Sequence, residues 1–257
     1  LVVIAGGEGG WCFDSGGESE LGVDDSLDAA GEAIPDRLAM MDCVETYREE
    51  YAEGMQGGHD HDHDDHDHDH DDHDGQLHDG HEEEIEYDEH IWTSPVNAMA
   101  LCRAICDTLC EADPDNADGY RARLADYLDE LQALDETFRD ITDHAARRLL
   151  VFGDRFPLLY FCREYDLDYR AAFHGCAGDT EPSLATLNYL IDAVEEQQIP
   201  AVYTIELSSQ TVATPIAEPT GAQGRRCHSG QTVSRPEVDG RATSRSLMTA
   251  NADTPTE

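Results

Sequence analysis

No lysine occurs among the 257 residues; 16 arginines face 57 acids, for a formal charge of −41. So little positive charge excludes an electrostatic footprint for nucleic acid or anionic lipid and favours a surface that concentrates cations. No CxxC pair is present either. The eight cysteines (Cys12, Cys43, Cys102, Cys106, Cys110, Cys162, Cys176 and Cys227) are scattered and fit neither a zinc ribbon nor a dense disulfide framework. Cys102, Cys106 and Cys110 recur every four residues along one helix face, which predicts small buried apolar positions rather than a thiolate site. No His-Glu-x-x-His helix, Gly-x-Ser-x-Gly elbow or phosphate loop is found, which argues against the common hydrolase and nucleotide chemistries. Signal-peptide and membrane-span patterns are missing too. The opening Leu1-Val2-Val3-Ile4-Ala5-Gly6-Gly7 reads as a buried strand entering a glycine turn with no initiating Met, so the chain is expected to begin inside a domain.

What is present alternates strands with helices. After the opening strand, apolar Leu21, Val23, Leu27 and Ala30 predict a helix from about Val23 to Ala30, and Arg37 to Cys43 is a candidate second strand. Ser94 and Pro95 supply an N-cap and a first-turn proline for a helix through Glu111, which Asp113-Pro114-Asp115 breaks. Tyr120, Leu124, Tyr127, Leu128, Leu131, Leu134, Phe138 and Ile141 then lie on one stripe of a helix from Ala117 to Leu149. At about 1.5 Å per residue such a helix spans roughly 45 Å, enough to connect two units. Leu149 to Gly153 reads as a strand entering a glycine turn, Pro157 to Tyr165 as a helix and Tyr169 to Phe173 as a strand. Pro182 to Gln198 is an amphipathic helix, and Ala201 to Glu206 a strand ending in an acid. This alternation predicts an α/β fold with parallel sheets covered on both faces. Past Gly221 the pattern degrades: Gly224-Arg225-Arg226-Cys227 stands where a buried strand is expected, and Pro215, Pro219 and Pro236 interrupt helical stretches.

Nine of the 13 histidines fall between His59 and His81. There His59, His61, His63, His66, His68, His70 and His73 alternate with aspartates, and His78 and His81 follow. Imidazole suits zinc, copper, nickel and cobalt, while neighbouring carboxylates add charge and oxygen ligands. Apolar periodicity stops from His59 to Glu84, so a solvated loop is expected to bind several ions weakly. Nearby aspartates raise histidine pKa values, so protons are expected to compete with metal in acid. Solvation alone calls for Asp, Glu or Ser; histidine at this density points to metal.

A tight site needs ligands on rigid strand ends. Glu18 after the first glycine turn, His90, Asp154, Glu206 and His228 each follow an expected strand, where open α/β sheets place ligands. Other readings stay open for each. His90 also fits a structural histidine before a capped helix; Glu18 and Asp154 fit helix caps, and Asp154 fits an ion pair with Arg155. Glu206 also fits a residue that orients a ligand, and His174 lies near the expected cleft, whereas His144 on the long helix reads as exposed.

His90-Ile91-Trp92-Thr93-Ser94-Pro95-Val96-Asn97-Ala98 resembles the His-x-Trp-x-Ser-Pro motif of the zinc- and manganese-binding solute-binding proteins of ABC transporters, cluster A-I. An acidic, histidine-rich insertion just before the motif is similar to that of the zinc members. The long helix and Thr180-Glu181-Pro182-Ser183 fit as well. The likeness runs from about Ile4 to Met248, lacking the family's signal sequence and first βα unit. It implies two α/β lobes joined by a rigid helix, with the metal in the cleft between them. The N-terminal lobe would occupy residues 1–116 with the histidine-rich loop at 57–84, the linking helix 117–149 and the C-terminal lobe 150–257. His90 matches the family's second histidine. The first falls near Glu18, the third near Asp154 in Phe152-Gly153-Asp154-Arg155-Phe156-Pro157, and the fourth, acidic position near His228, so the ligand set is permuted as in a divergent branch. The resemblance further implies an extracytoplasmic monomer, periplasmic or lipid-anchored, that passes zinc to a membrane permease. Manganese and nickel rank behind zinc, since imidazole-rich ligation disfavours manganese. A storage or delivery chaperone working through the loop, and a zinc-dependent hydrolase, are the competing readings.

Overall fold

The computed structural model describes residues 2–4, 37–55, 87–175 and 181–253. Glu18, the expected Val23–Ala30 helix and the histidine-rich loop lie outside the described residues. Strand β1 (Val2–Ile4) pairs in parallel with β2 (Arg37–Ala39). The expected strand through Cys43 is shorter than the sequence reading: after Ala39 the chain turns into a 3-10 helix, Met40–Cys43, which buries Met40 and Met41. A short apolar run reads equally as strand or helix.

Helix α1 (Pro95–Ala112) begins where its cap residues require, the Ser94 hydroxyl accepting the Asn97 N–H. Along it Cys106 and Cys110 are buried with their sulfurs 3.9 Å apart, as small core residues. A 3-10 turn at Pro114–Asn116 leads into α2 (Ala117–His144), 28 residues or about 42 Å long. It stops five residues short of the expected Leu149, because Ala145 turns to extended backbone. Leu131, Leu134 and Phe138 fill its buried stripe. Among the described residues no helix is long and apolar enough to cross a membrane.

The second sheet comprises β3 (Leu149–Phe156), β4 (Asp168–His174), β5 (Ala201–Thr204) and β6 (Gln223–Arg226), all parallel in the order β4-β3-β5-β6. Alternation sends Phe152, Ala171 and Tyr203 to one face and Val151, Ala172 and Val202 to the other. Helices α2 and α3 (Leu159–Glu164) contribute Phe138, Phe161 and Cys162 to the first face. On the second, α4 (Leu184–Glu196) and α5 (Ala213–Thr220) contribute Leu190, Val194, Ile216 and Ala217. The strand order reverses between β3 and β5, and such a reversal opens a crevice at the carboxyl ends of those strands.

Gly153 is not a turn. It lies inside β3, where a side chain is excluded because an added Cβ would stand 2.4 Å from the Cα of Ala213. The stretch past Gly221 is ordered as well. Pro215 sits in the first turn of α5 and Pro236 in that of α6 (Arg235–Asp239), where an N–H has no partner within the helix, whereas Pro219 lies inside α5, which ends one residue later at Thr220. The Gln223–Arg226 strand is polar because it forms the sheet's edge, not its core. Helix α7 (Ser244–Ala252) returns to pack against α2 through buried Leu247 and Met248.

Candidate metal centre

The motif histidine is held by its own loop. The His90 backbone N–H donates to Asp88 Oδ1 (2.8 Å), and the ring Nδ1 lies 3.1 Å from the same oxygen. Asp88 is fixed in turn: its N–H donates to the Tyr47 carbonyl, and the buried Tyr160 hydroxyl donates to its own carbonyl (2.7 Å). His90 is fully buried, and among the described residues its Nε2 makes no hydrogen bond of good geometry, although the Gln231 side chain reaches the ring. A neutral ring whose Nδ1–H faces Asp88 presents the Nε2 lone pair, the arrangement by which a carboxylate orients a metal-binding imidazole. Burial opposes protonation of His90, but the Asp88 carboxylate, the Gln231 side chain and the more distant Glu49 outweigh it and raise the pKa above the ordinary 6.5.

Strand ends of the second sheet meet the motif, one at this ring and the others through Trp92. Beyond β4, Gly175 lies flat against it, and a Cβ there would stand 3.0 Å from His90 Cε1. His174, one residue earlier, brings Nδ1 to 2.7 Å from Glu49 Oε2, with Tyr51 packed on its ring. Beyond β5, buried Glu206 accepts the Ser229 N–H (2.8 Å), the Ser229 hydroxyl (2.6 Å) and the Thr232 N–H (3.2 Å). That carboxylate thereby shapes the loop after β6. Asn251 of α7 clamps the same loop by accepting the His228 N–H (2.7 Å) and donating to the His228 carbonyl (2.8 Å). The loop's Ser229 carbonyl accepts the Trp92 indole N–H (2.9 Å), which ties the motif to the sheet.

The profile of the ZnuA family, zinc-uptake complex component A, periplasmic, matches residues 10–257. The chain belongs to the ZnuA family. It is similar to the zinc-binding lipoprotein AdcA of Streptococcus pneumoniae, 31% identical over 138 residues, covering 54% of this chain and 27% of that protein. The high-affinity zinc uptake system protein ZnuA of Bacillus subtilis is 29% identical over 157 residues, 59% of this chain and 47% of that protein. The chain thus spans less than half the length of either curated relative. Among solved structures, the Zn(II)-bound ZnuA-like domain of S. pneumoniae AdcA superposes with a TM-score of 0.56 at 26% identity, over 65% of this chain and 62% of that one. The metal-dependent lipoprotein YcdH from B. subtilis gives 0.57 at 28% identity, over the same shares. A Mn-bound periplasmic metal-binding protein from Candidatus Liberibacter asiaticus, at 20% identity and a TM-score of 0.57 over 68% of this chain and 64% of that one, shares the fold. ZnuA proteins are zinc-binding solute-binding proteins of metal ABC transporters, not enzymes.

Against that family background, the expected ligands separate. His90 is buried between Asp88 and the end of β4. Asp154 does not follow a strand: it lies within β3, where Oδ1 accepts the Arg155 backbone N–H (2.8 Å) and Oδ2 the Ile205 N–H (3.2 Å). Its carboxylate thus stitches β3 to the end of β5 across the reversal of strand order, and no helix is capped by it. Glu206 has both oxygens on the 229–232 loop. His228 is half-buried, with Nδ1 3.9 Å from Glu237 Oε1. Among the described residues, no three His, Cys, Asp or Glu side chains stand close enough together to hold an ion. His144 is exposed on α2 beside Asp140, as its position implies. Sequence reasoning missed Asp88, whose place two residues before the motif histidine was a usable signal. It also missed Glu49, which has none: Tyr47-Arg48-Glu49-Glu50-Tyr51 reads as an ordinary charged run.

Proposed function

We propose that this chain is the extracytoplasmic capture component of a zinc ABC transporter, binding one zinc ion tightly at His90 Nε2 and passing it to a membrane permease. The observation that carries the reading is a fully buried imidazole with one nitrogen fixed by Asp88 and the other making no hydrogen bond of good geometry among the described residues. A buried polar atom in that state is costly unless something occupies it, and a divalent cation is what the ring's chemistry suits. The names of the AdcA and ZnuA relatives support zinc as the cargo, ahead of manganese or nickel. Glu18 and His228 remain candidate ligands in this reading. Asp154 and Glu206 act by shaping the strand ends, and His59 to His81 act as a weak collecting loop.

Zinc titration separates this from a storage role. The intact chain, a variant lacking residues 59–81 and His90→Ala are each titrated against a competing chelator. Capture predicts one tight site that survives loop removal together with a loss of weak sites, and disappearance of the tight site in His90→Ala. Storage through the loop predicts that all binding vanishes with the loop.

A further inference from the structure

Cys106 and Cys110 pack as small core residues, but their spacing carries more than packing. With Ala117 they form a buried cluster of their own, edged by Tyr120 and Leu124, at the hairpin between α1 and α2. Cys110 lies 15 residues along α1 from Pro95, about 22 Å of helix away from the motif. The two sulfurs stand 3.9 Å apart, and the Cys110 thiol donates to the Ala117 carbonyl oxygen at 3.7 Å. A tetrahedral ion with sulfur at about 2.3 Å and oxygen at about 2.1 Å holds two sulfurs about 3.8 Å apart, and a sulfur about 3.6 Å from an oxygen. Both spacings in this cluster match adjacent corners of that tetrahedron. A disulfide fits less well. Residues four apart on a helix keep their Cβ atoms about 5–6 Å apart, whereas a disulfide needs about 3.5–4.5 Å. Helix α1 therefore keeps the pair from closing on itself.

We propose that Cys106, Cys110 and the Ala117 carbonyl form a second cation site, apart from His90, for a thiophilic divalent d10 ion such as cadmium or zinc. Each thiol passes its proton to water as its metal–sulfur bond forms, so one ion displaces two protons. Two thiolates then balance the charge of the ion, and the filled site is neutral, as an otherwise apolar cluster requires. Burial, the hydrogen bond and charge of Cys110 and the charge of Asp107 push the Cys106 thiol up, so it keeps its proton until a cation arrives. Coordination then removes that proton outright. The oxygen donor is held in place beforehand. The Tyr120 hydroxyl (2.7 Å) and the Asn116 amide (2.9 Å) both donate to Asp113 Oδ2, which fixes the turn leading into Ala117. A carbonyl oxygen has two lone pairs, so a bond to metal leaves its helix bond in place. Exposed Asp107, Glu111 and Asp115 border the cluster and draw cations towards it, while soft thiolate donors select against magnesium and calcium.

The test is titration of the full chain with cadmium chloride, because charge transfer from thiolate to cadmium absorbs in the ultraviolet and histidine ligands give no such band. The band is expected to saturate at one thiolate-bound ion per chain. Cys106→Ala and Cys110→Ala are each expected to abolish it and to release about two protons fewer than the unaltered chain. Cys102→Ala is expected to keep it, since that thiol faces the neighbouring cavity with Tyr127 and Leu131. Absence of the band from the unaltered chain, or its survival in both Cys106→Ala and Cys110→Ala, would overturn the proposal. If an alanine variant no longer melts cooperatively, alkylation of the unaltered chain decides. Cadmium should slow modification of Cys106 and Cys110 several-fold and leave Cys102 unaffected, read by peptide mass mapping. Equal rates with and without cadmium at Cys106 and Cys110 would overturn it as well. Neither outcome bears on the capture reading, which turns on His90.

Discussion

One oxygen of Asp88 serves both the backbone N–H and the ring of His90, so the side chain fixes where the loop turns and which ring nitrogen faces outward. Asp88→Asn keeps the size but loses the charge that favours an Nδ1–H, and about a 10- to 100-fold loss of zinc affinity is expected by chelator competition. The raised pKa of His90 gives the pH dependence a definite sign. Because the folded value lies above the unfolded one, protonation stabilises the metal-free chain. That contribution is fully present below about 6.5 and is lost as pH rises through the folded pKa. Zinc needs the neutral ring, so its affinity must fall as pH drops through the same window. Opposite slopes are therefore expected just above pH 6.5: the metal-free melting temperature climbs on acidification while zinc affinity declines, and Asp88→Asn flattens both. A common slope for the two would contradict the assignment of His90.

At the scale of elements, the helix pair α1 and α2 and the strands β3, β4 and β5 were legible because their signals are local: a Ser-Pro start, a 3.6-residue stripe, short β-branched and aromatic runs. What was not legible came from contacts between distant segments. Gly153 reads as a turn in one dimension, yet α5 crosses so closely over β3 that only glycine fits there. Gly153→Ala should therefore push the Ala213 backbone away and cost about 1–3 kcal/mol, seen as a lower denaturant midpoint at constant slope. The stretch past Gly221 shows the same limit. Its edge strand carries two arginines because one side of it faces water, and α7 buries only Leu247 and Met248, too few for a periodic signal. The surroundings of His90 divide in the same way: the histidine announces itself through a motif, whereas Glu49 and His174 meet only because the end of β4 lies against the segment that carries Glu49 and Tyr51. Asn251 belongs to the elements too, since it ties α7 to the loop after β6. Asn251→Ala removes two hydrogen bonds to the His228 backbone, for an expected loss of about 1–3 kcal/mol by the same measurement.

For the whole molecule the decisive quantity is charge. Arginines are mostly engaged locally: Arg139 with Asp135 and Glu164, Arg245 with Glu130, Arg163 with Glu50, Arg148 with Asp166. Even with every arginine paired, most acids would stay uncompensated, at 57 against 16. Two effects of salt then oppose each other. Screening weakens exposed pairs, each worth about 0–1 kcal/mol, and it relieves the mutual repulsion of the surplus carboxylates. The second effect acts over longer distances and on many more groups, so it should prevail as the screening length shrinks from about 30 Å at 0.01 M to about 3 Å at 1 M. The melting temperature of the chelator-treated chain is thus expected to rise steadily across that range of sodium chloride. Zinc binding should move the other way, because the same acidic field that destabilises the empty fold draws the cation in, and screening it slows capture. A melting temperature that falls with salt would mean that the local arginine pairs, not the excess of acids, govern this fold.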